Sequence, residues 1–468
     1  MMMSARKPKR GDGDNSSRTA SRRSVLRLLG AASAVIVPHA VLAQASQARW
    51  WESLPGFGSG GSEGNYGGSR SSSEPREKKV EPLNDLRPDS TPYRSDAMLE
   101  ALDAAIGKYQ KIIAAGGWQQ IPGPRMIRPG DDDERVPLVR RRLRATGDLG
   151  GVTSGFQSNS FDAELEAGVR RFQERHGLRV SGRVDQPTLA AMNVSAQSRL
   201  NQLRLNHGRI RELLQGRIED RYVLVNVPSY QLEAVERFEV AQRHRVIVGR
   251  EGRQTPGLRA NIRALNFFPY WRVPDSVATL DLIPRLRKEP EYLEKEKIRV
   301  LTGNFNGPII DHSVIDWNTA SAQTIKFRQD PGPQNALGLV RIDMPNSEGV
   351  YMHDTPMKQL FQQRQRPFSA GCVRVQDVFK LVSWIARGEG WDDQRVEDTL
   401  AGNQAVDVNL RAPVPVYFTY ITAWAEPASG RVEFRPDVYG RDGSKDLGAE
   451  HDPDAPPPPS NAIQALAP

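Results

Sequence analysis

Hydrophobic residues follow three rhythms along this chain, and each predicts a different kind of structure. From Ser95 the spacing is helical. Met98, Leu99, Leu102, Ala105, Ile106, Tyr109 and Ile113 recur at three- and four-residue steps, Asp96 is placed to cap them, and Gly116-Gly117 ends the run. With Trp118, Ile121, Pro122 and Pro124 behind it, 95–135 reads as a helical scaffold segment. Residues 136–195 carry three shorter stripes: Leu138, Val139 and Leu143; then Leu165, Val169 and Phe172 behind Phe161-Asp162; then Thr188, Leu189 and Met192 behind Gly182-Arg183-Val184-Asp185. A charged connecting helix follows within 196–219.

Near residue 220 the period changes to two. Tyr222 to Val227, Gln231 to Val235, Arg243 to Val248, Val340 to Asp343, Gly349 to Met352 and Val414 to Ile421 read as strands of a β domain spanning 220–442. Residues 275–301 interrupt it with charged, helix-like sequence around Ile283, Leu286, Tyr292 and Leu293. A charged insertion of this kind beside a site reads as a lid. The third rhythm is none at all. Residues 46–94 are Gly/Ser-rich and read as a flexible linker, and 443–468, with Pro456 to Pro459, reads as a disordered tail.

The length of 468 residues allows two or three domains. Charge changes the picture only at the N-terminus. Residues 1–45 hold eight Lys/Arg and two Asp, which accounts for +6 of the formal +8. The remainder is nearly neutral, which argues against a nucleic-acid partner. Ser21-Arg22-Arg23-Ser24-Val25-Leu26 is a twin-arginine pattern, followed by a broken apolar run from Leu28 to Leu42 and small residues at Ala43-Gln44-Ala45. Residues 1–45 are therefore expected to be an export signal, with the protein in the periplasm and the membrane met only during export.

Chemistry concentrates at one place. Cys372 is the only cysteine, so it has no disulfide partner in the chain. It sits in Ser369-Ala370-Gly371-Cys372-Val373-Arg374-Val375, and His353 lies nineteen residues upstream. Small residues before a thiol let a turn present backbone N–H groups, and an imidazole can accept the thiol proton. His207 and His244 lie among arginines and read as solvated, His312 as structural, and His176 as a cation at a helix C-terminus. No zinc-ligand spacing and no phosphate-binding loop occurs, so neither metal nor cofactor is expected.

Several motifs then carry a resemblance. Arg253-Gln254-Thr255-Pro256, Trp271-Arg272-Val273-Pro274, Pro331 to Gly338, Tyr351-Met352-His353-Asp354-Thr355-Pro356, Ser369 to Val375, Pro415 to Trp424 and Asp437 to Gly440 appear in the order found in L,D-transpeptidases. The larger form of that family is similar here, with its inserted capping subdomain. Phe161-Asp162, Phe172-Gln173, His176-Gly177-Leu178, Gly182 and Thr188 resemble the three-helix peptidoglycan-binding domain. The implied fold class is α+β: a mainly-β catalytic domain with an inserted helical lid, an N-terminal helical scaffold and a peptidoglycan-binding-like domain.

The resemblance implies Cys372 as nucleophile, His353 as base and the Asp354 backbone carbonyl as the group orienting His353. It places Gly371, Ser369, Arg374, Tyr351, Trp271 and Asn335 around the oxyanion or substrate. Two positions depart from the common pattern: Ala370 stands where many members have histidine or serine, and Asp354 where many have glycine or serine. The implied partners are peptidoglycan stem peptides and the sacculus, with carbapenem β-lactams as inhibitors. The implied reaction is 3→3 cross-linking through a thioester. Transfer to water or to a protein amine stays open on the same chemistry, as does a non-catalytic wall-binding role.

Overall fold

In the computed structural model the described residues are 83, 85–150 and 157–443, and they fall in one compact unit. The expected signal, most of the linker and all but the first residue of the expected tail lie outside them. The linker's last stretch, 85–94, is not a flexible tether: Arg87, Tyr93 and Arg94 are buried, Arg87 pairs with Glu233 and Asp85 with Arg366.

Five helices open the described chain: α1 (Asp96–Ala114), α2 (Val136–Thr146), α3 (Ala163–Arg175), α4 (Gln186–Asn193) and α5 (Ala196–Leu213). The cap of α1 is Ser95, whose hydroxyl accepts from Met98 N–H, with Asp96 inside the first turn. Asp162 and Asp185 cap α3 and α4 in the same way. Val139, Leu143, Leu165, Val169 and Phe172 are fully buried, so α2–α4 share one small core. The apolar faces of α1 and α5 instead join Tyr222, Leu224, Tyr417 and Trp424 in a second core against the β domain.

The strands of the main sheet are β1 (Arg221–Asn226), β2 (Gln231–Glu236), β3 (Glu239–Gly249), β4 (Leu258–Phe267), β9 (Val340–Asp343), β10 (Met352–His353), β11 (Pro367–Ser369), β12 (Val373–Val375) and β13 (Val406–Thr419), in the order β11-β3-β12-β10-β9-β4-β13-β1-β2. The long β3 also pairs with β2 along its first half, so the sheet curls back on itself. Helices α9 (Val378–Ala386) and α10 (Asp393–Gly402) and the hairpin β14 (Ala423–Ala425) with β15 (Val432–Phe434) complete this domain.

The insertion is larger than the expected 275–301 and is not purely helical. Short helices α6 (Asp275–Val277), α7 (Ile283–Leu286) and α8 (Tyr292–Lys295) flank a π-helical turn at Ala278–Leu282. They pack on a separate sheet of β5 (Trp271–Arg272), β8 (Ile325–Gln329), β6 (Ile298–Thr302) and β7 (Ile309–Ile310). Trp271, Leu282, Leu286, Leu293 and Phe327 form its core. The charged, helix-like run read over 275–301 takes in Ile298 to Leu301 of β6, and β7 is only two residues long, so this sheet is not anticipated by the sequence. The insert leaves and returns at a narrow neck, where Phe268 N–H donates to Leu339 C=O at 2.9 Å and Asn335 Nδ2 donates to Pro269 C=O at 3.1 Å.

The helical module is docked on the β domain. His176 stacks on Phe172 at 3.8 Å and faces Phe434 of β15 at 5.3 Å, ring centre to ring centre. Arg175 Nη1 donates to Val432 C=O, and Arg435 Nη1 to Arg175 C=O. Thus His176 caps the end of α3 as expected, but not as a cation. It is buried, its Nδ1 lies 2.8 Å from Phe172 C=O, and burial holds its pKa well below the ordinary imidazole value. His244 is corrected likewise: it is buried between Gln376 C=O at 2.8 Å and Gln242 Oε1 at 3.0 Å, and burial again lowers its pKa. His207 contacts Asp103 of α1 at 3.1 Å.

Candidate active site

β10 and β12 are parallel neighbours, with Met352 opposite Val373 and His353 opposite Arg374. Side chains opposite one another in a parallel pair share a face, and alternate residues of one strand do too. Tyr351, His353, Cys372 and Arg374 therefore lie on one face of the sheet, with Cys372 one diagonal step from His353. All but Tyr351 are nearly or fully buried. Neighbouring strands lie about 4.8 Å apart, so the fold brings together two groups nineteen residues apart in sequence.

The turn before Cys372 is tied down on both sides. Ser369 Oγ donates to Cys372 C=O at 2.6 Å and accepts from Gly371 N–H at 3.2 Å. Thr255 Oγ1 donates to Gly371 C=O at 2.8 Å and accepts from Gly249 N–H at 2.8 Å. Tyr439 Oη in turn accepts from Thr255 N–H at 3.2 Å. Gly371 has φ +125°, a region open to glycine and hardly to any other residue. The sequence reading missed Thr255 and Tyr439 as site residues. Their signal lies in the motifs Thr255-Pro256 and Asp437 to Gly440, where neither residue type marks its partner.

Burial dominates the electrostatics. It pushes the Cys372 thiol up to about 12, against the pull of the Tyr351 backbone and of the Arg374 and Arg341 guanidiniums. Burial also brings Arg374 down to about 10, while the neighbouring thiol site draws it back up. The Tyr351 hydroxyl is raised well above its usual value, first by burial and then by Cys372. A buried thiol of this kind stays protonated at neutral pH unless a neighbouring base takes its proton.

The remaining predicted residues divide. Tyr351 is half-buried, lies under Arg341 at 5.4 Å, and packs with Ala370 against the core of the insert. Trp271 is fully buried within that core and lines no groove. Asn335 is buried too: its amide group bonds to Pro269 C=O, Asp330 C=O and Leu337 N–H, which makes it a staple of the insert's neck. The Asp354 carboxylate accepts from Leu339 N–H at 3.0 Å and pairs with Lys358, so the side chain left without a role in the sequence is structural. Among the described residues no group of three or more His, Cys, Asp or Glu is placed to hold a metal ion, and no helix is long and apolar enough to cross a membrane.

The curled sheet thus carries a thiol and an imidazole on one face, beneath an inserted cap, and over this region the chain is similar to known proteins. Residues 220–406 match the family described as the L,D-transpeptidase catalytic domain, and residues 132–192 match the one described as "Putative peptidoglycan binding domain". A Haemophilus influenzae protein named "Putative L,D-transpeptidase" is 33% identical over 221 residues, covering 47% of this chain and 44% of that protein. The chain thus matches less than half the length of that relative. Among solved structures, an L,D-transpeptidase from Stackebrandtia nassauensis is 15% identical, covering 56% of this chain and 89% of its own, at a TM-score of 0.23. One from Xylanimonas cellulosilytica is 14% identical, covering 64% and 98%, at a TM-score of 0.20.

Proposed function

We propose that this protein is a periplasmic L,D-transpeptidase that forms 3→3 cross-links in peptidoglycan through a cysteine thioester. The observation that carries this reading is the shared face of His353 on β10 and Cys372 immediately before the parallel β12, within a domain that matches this family. His353 takes the thiol proton as the sulfur attacks the carbonyl after the third residue of a stem tetrapeptide. The Asp354 carbonyl orients that imidazole. The S–C bond forms, the C–N bond to the terminal D-alanine breaks, and His353 returns its proton to the leaving amine. A diaminopimelate side-chain amine of a second stem then displaces the sulfur.

Gly371 N–H is engaged by Ser369 Oγ in this state, so the Cys372 N–H is the donor we assign to the developing oxyanion. Arg374, buried beside the thiol, favours the thiolate once it forms. The helical module holds the enzyme on the sacculus, and the twin-arginine segment brings it there. Carbapenems are expected to acylate the same sulfur.

The test is mass analysis of muropeptides after purified protein meets tetrapeptide-bearing sacculi. Cross-linked dimers joined through two diaminopimelates are expected. Tripeptides alone mean that water is the acceptor, and unchanged muropeptides with active-site thiol intact reject catalysis.

A further inference from the structure

We infer that Arg250 and Arg253 form a receptor for the free carboxylate of an acyl-donor peptide, and that Asp281 of the insert occupies this receptor while the cap is closed. The inference rests on the transpeptidase reading for its substrate and on the structure for its site. Asp281 lies in the π-helical turn of the insert, and its carboxylate side chain is only 9% exposed. Oδ1 accepts from Arg250 Nη2 at 3.4 Å, and Oδ2 lies 2.5 Å from Arg253 Nη1. The second contact lacks the alignment of a hydrogen bond, so it is a charge pair and not the bidentate fork that arginine makes with a well-placed carboxylate. π-Helical turns of this kind concentrate at functional sites.

The two arginines belong to the segment that holds the nucleophile turn. Arg250 N–H donates to Ser369 C=O at 3.0 Å. A methyl group placed on Gly371 would find Gln254 C=O at 3.7 Å and Arg253 C=O at 4.0 Å. Thr255 closes the segment onto Gly371 C=O. Anything recognised by Arg250 and Arg253 is therefore recognised next to Cys372. The insert covers the same place: its core packs on Ala370 and Tyr351, and Cys372 is only 4% exposed. Donor peptides cannot reach the sulfur while this contact persists. Lifting the insert removes Asp281 and leaves two guanidiniums facing the space it vacates.

A peptide cleaved one residue before its end offers a carboxylate within one residue of the scissile carbonyl. That is the chemistry the vacated arginines fit. Binding the donor and opening the cap become one exchange of carboxylates, so only a substrate carrying the charge competes with Asp281.

Three measurements on the full chain test this. Alkylation of Cys372 by iodoacetamide should be about fivefold faster in Asp281→Asn than in the parent protein, the scale of one partly exposed ion pair. Glu289→Gln, which removes an ion pair on the outer surface of the insert, should leave the rate unchanged. Arg253→Gln should also speed alkylation, and its thermal melt reports that it is folded. With tetrapeptide donors ending in a free carboxylate or an amide, the parent should prefer the free acid through KM. Arg253→Gln should lose that preference with kcat little changed. Unchanged alkylation in both Asp281→Asn and Arg253→Gln refutes the closing contact. Acylation of the parent without preference for the free acid refutes the receptor alone. Alkylation of the parent without acylation by either donor removes the transpeptidase reading and the receptor with it.

Discussion

Asp354 occupies the space that a side chain at position 338 would need. A Cβ built on Gly338 would lie 2.3 Å from Asp354 Oδ2 and 2.5 Å from its Cβ, and Gly338 has φ +62°. Because Asp354 follows His353, the turn at 335–339 and the imidazole strand are locked together. Gly338→Ala should therefore cost roughly 2–4 kcal/mol and lower the rate of thiol acylation, through strain and displacement of Asp354. Gly349→Ala, also at positive φ but with nothing within 4 Å, should cost only about 1 kcal/mol. Urea denaturation of the two variants makes the comparison.

Removing either member of the thiol–imidazole pair should separate chemistry from folding. Cys372→Ala should give no cross-linked dimer and no carbapenem adduct by intact mass, while its melting temperature stays close to that of the parent. His353→Ala should slow acylation by roughly 10²–10⁴, the span of a positioned general base. Full product from Cys372→Ala rules the sulfur out.

Burial of the thiol has a spectroscopic consequence. A pKa raised to about 12 means that the free enzyme holds a neutral thiol across the physiological range. The thiolate ultraviolet band, taken as the difference between the parent and Cys372→Ser, should be absent at neutral pH and should grow only in strong base. A thiolate step near neutral pH contradicts this environment.

Acid should loosen the docking of the helical module. The unfolded imidazole of His176 protonates near its ordinary value of 6.5, and the buried one does not. The unfolded state therefore binds more protons below that pH, and stability falls as pH drops, by about 1.4 kcal/mol per unit for each such group. His244 acts in the same direction. His176→Phe keeps a ring between Phe172 and Phe434 and should remove one of the two contributions, read as a shallower decline of melting temperature between neutral and mildly acidic pH.

Excising 275–301 alone should fail. It would remove Leu282, Leu286 and Leu293 and leave Trp317 and Phe327 with half a core, so aggregation is expected. Excising 270–334 and bridging Pro269 to Asn335 with a short Gly/Ser link cuts at the neck, where those two residues already touch. That variant should fold, take up a carbapenem and use peptide donors poorly. Circular dichroism and intact-mass acylation check both halves of this expectation.

What the sequence disclosed and what it hid have physical reasons. The stripes of α1 and α3 and the caps Asp162 and Asp185 are local features, and they were legible. The main strands were legible too, because alternation is local. Burial of polar residues was not. His176 and His244 sit among charged neighbours in sequence, yet each is enclosed by residues far along the chain, Phe434 in one case and Gln376 in the other. Arg94, Arg142, Arg366 and Arg374 are likewise enclosed, and a guanidinium carries no mark of its eventual burial. At the site, Cys372 and His353 stood out because one is unique and the other lies in a motif. Thr255 could not be singled out, since its role depends on where Gly371 C=O ends up.

The pairing of β10 with β12 means that the reactive sulfur and its base are spaced by main-chain hydrogen bonds. The ruler is the register of the two strands, fixed beside the sulfur by Val373 N–H donating to Tyr351 C=O at 3.0 Å, which does not depend on which side chains flank the pair. Substitutions at Ala370, Val373 or Met352 can therefore alter what the site admits while leaving the reach between its two working atoms as it was.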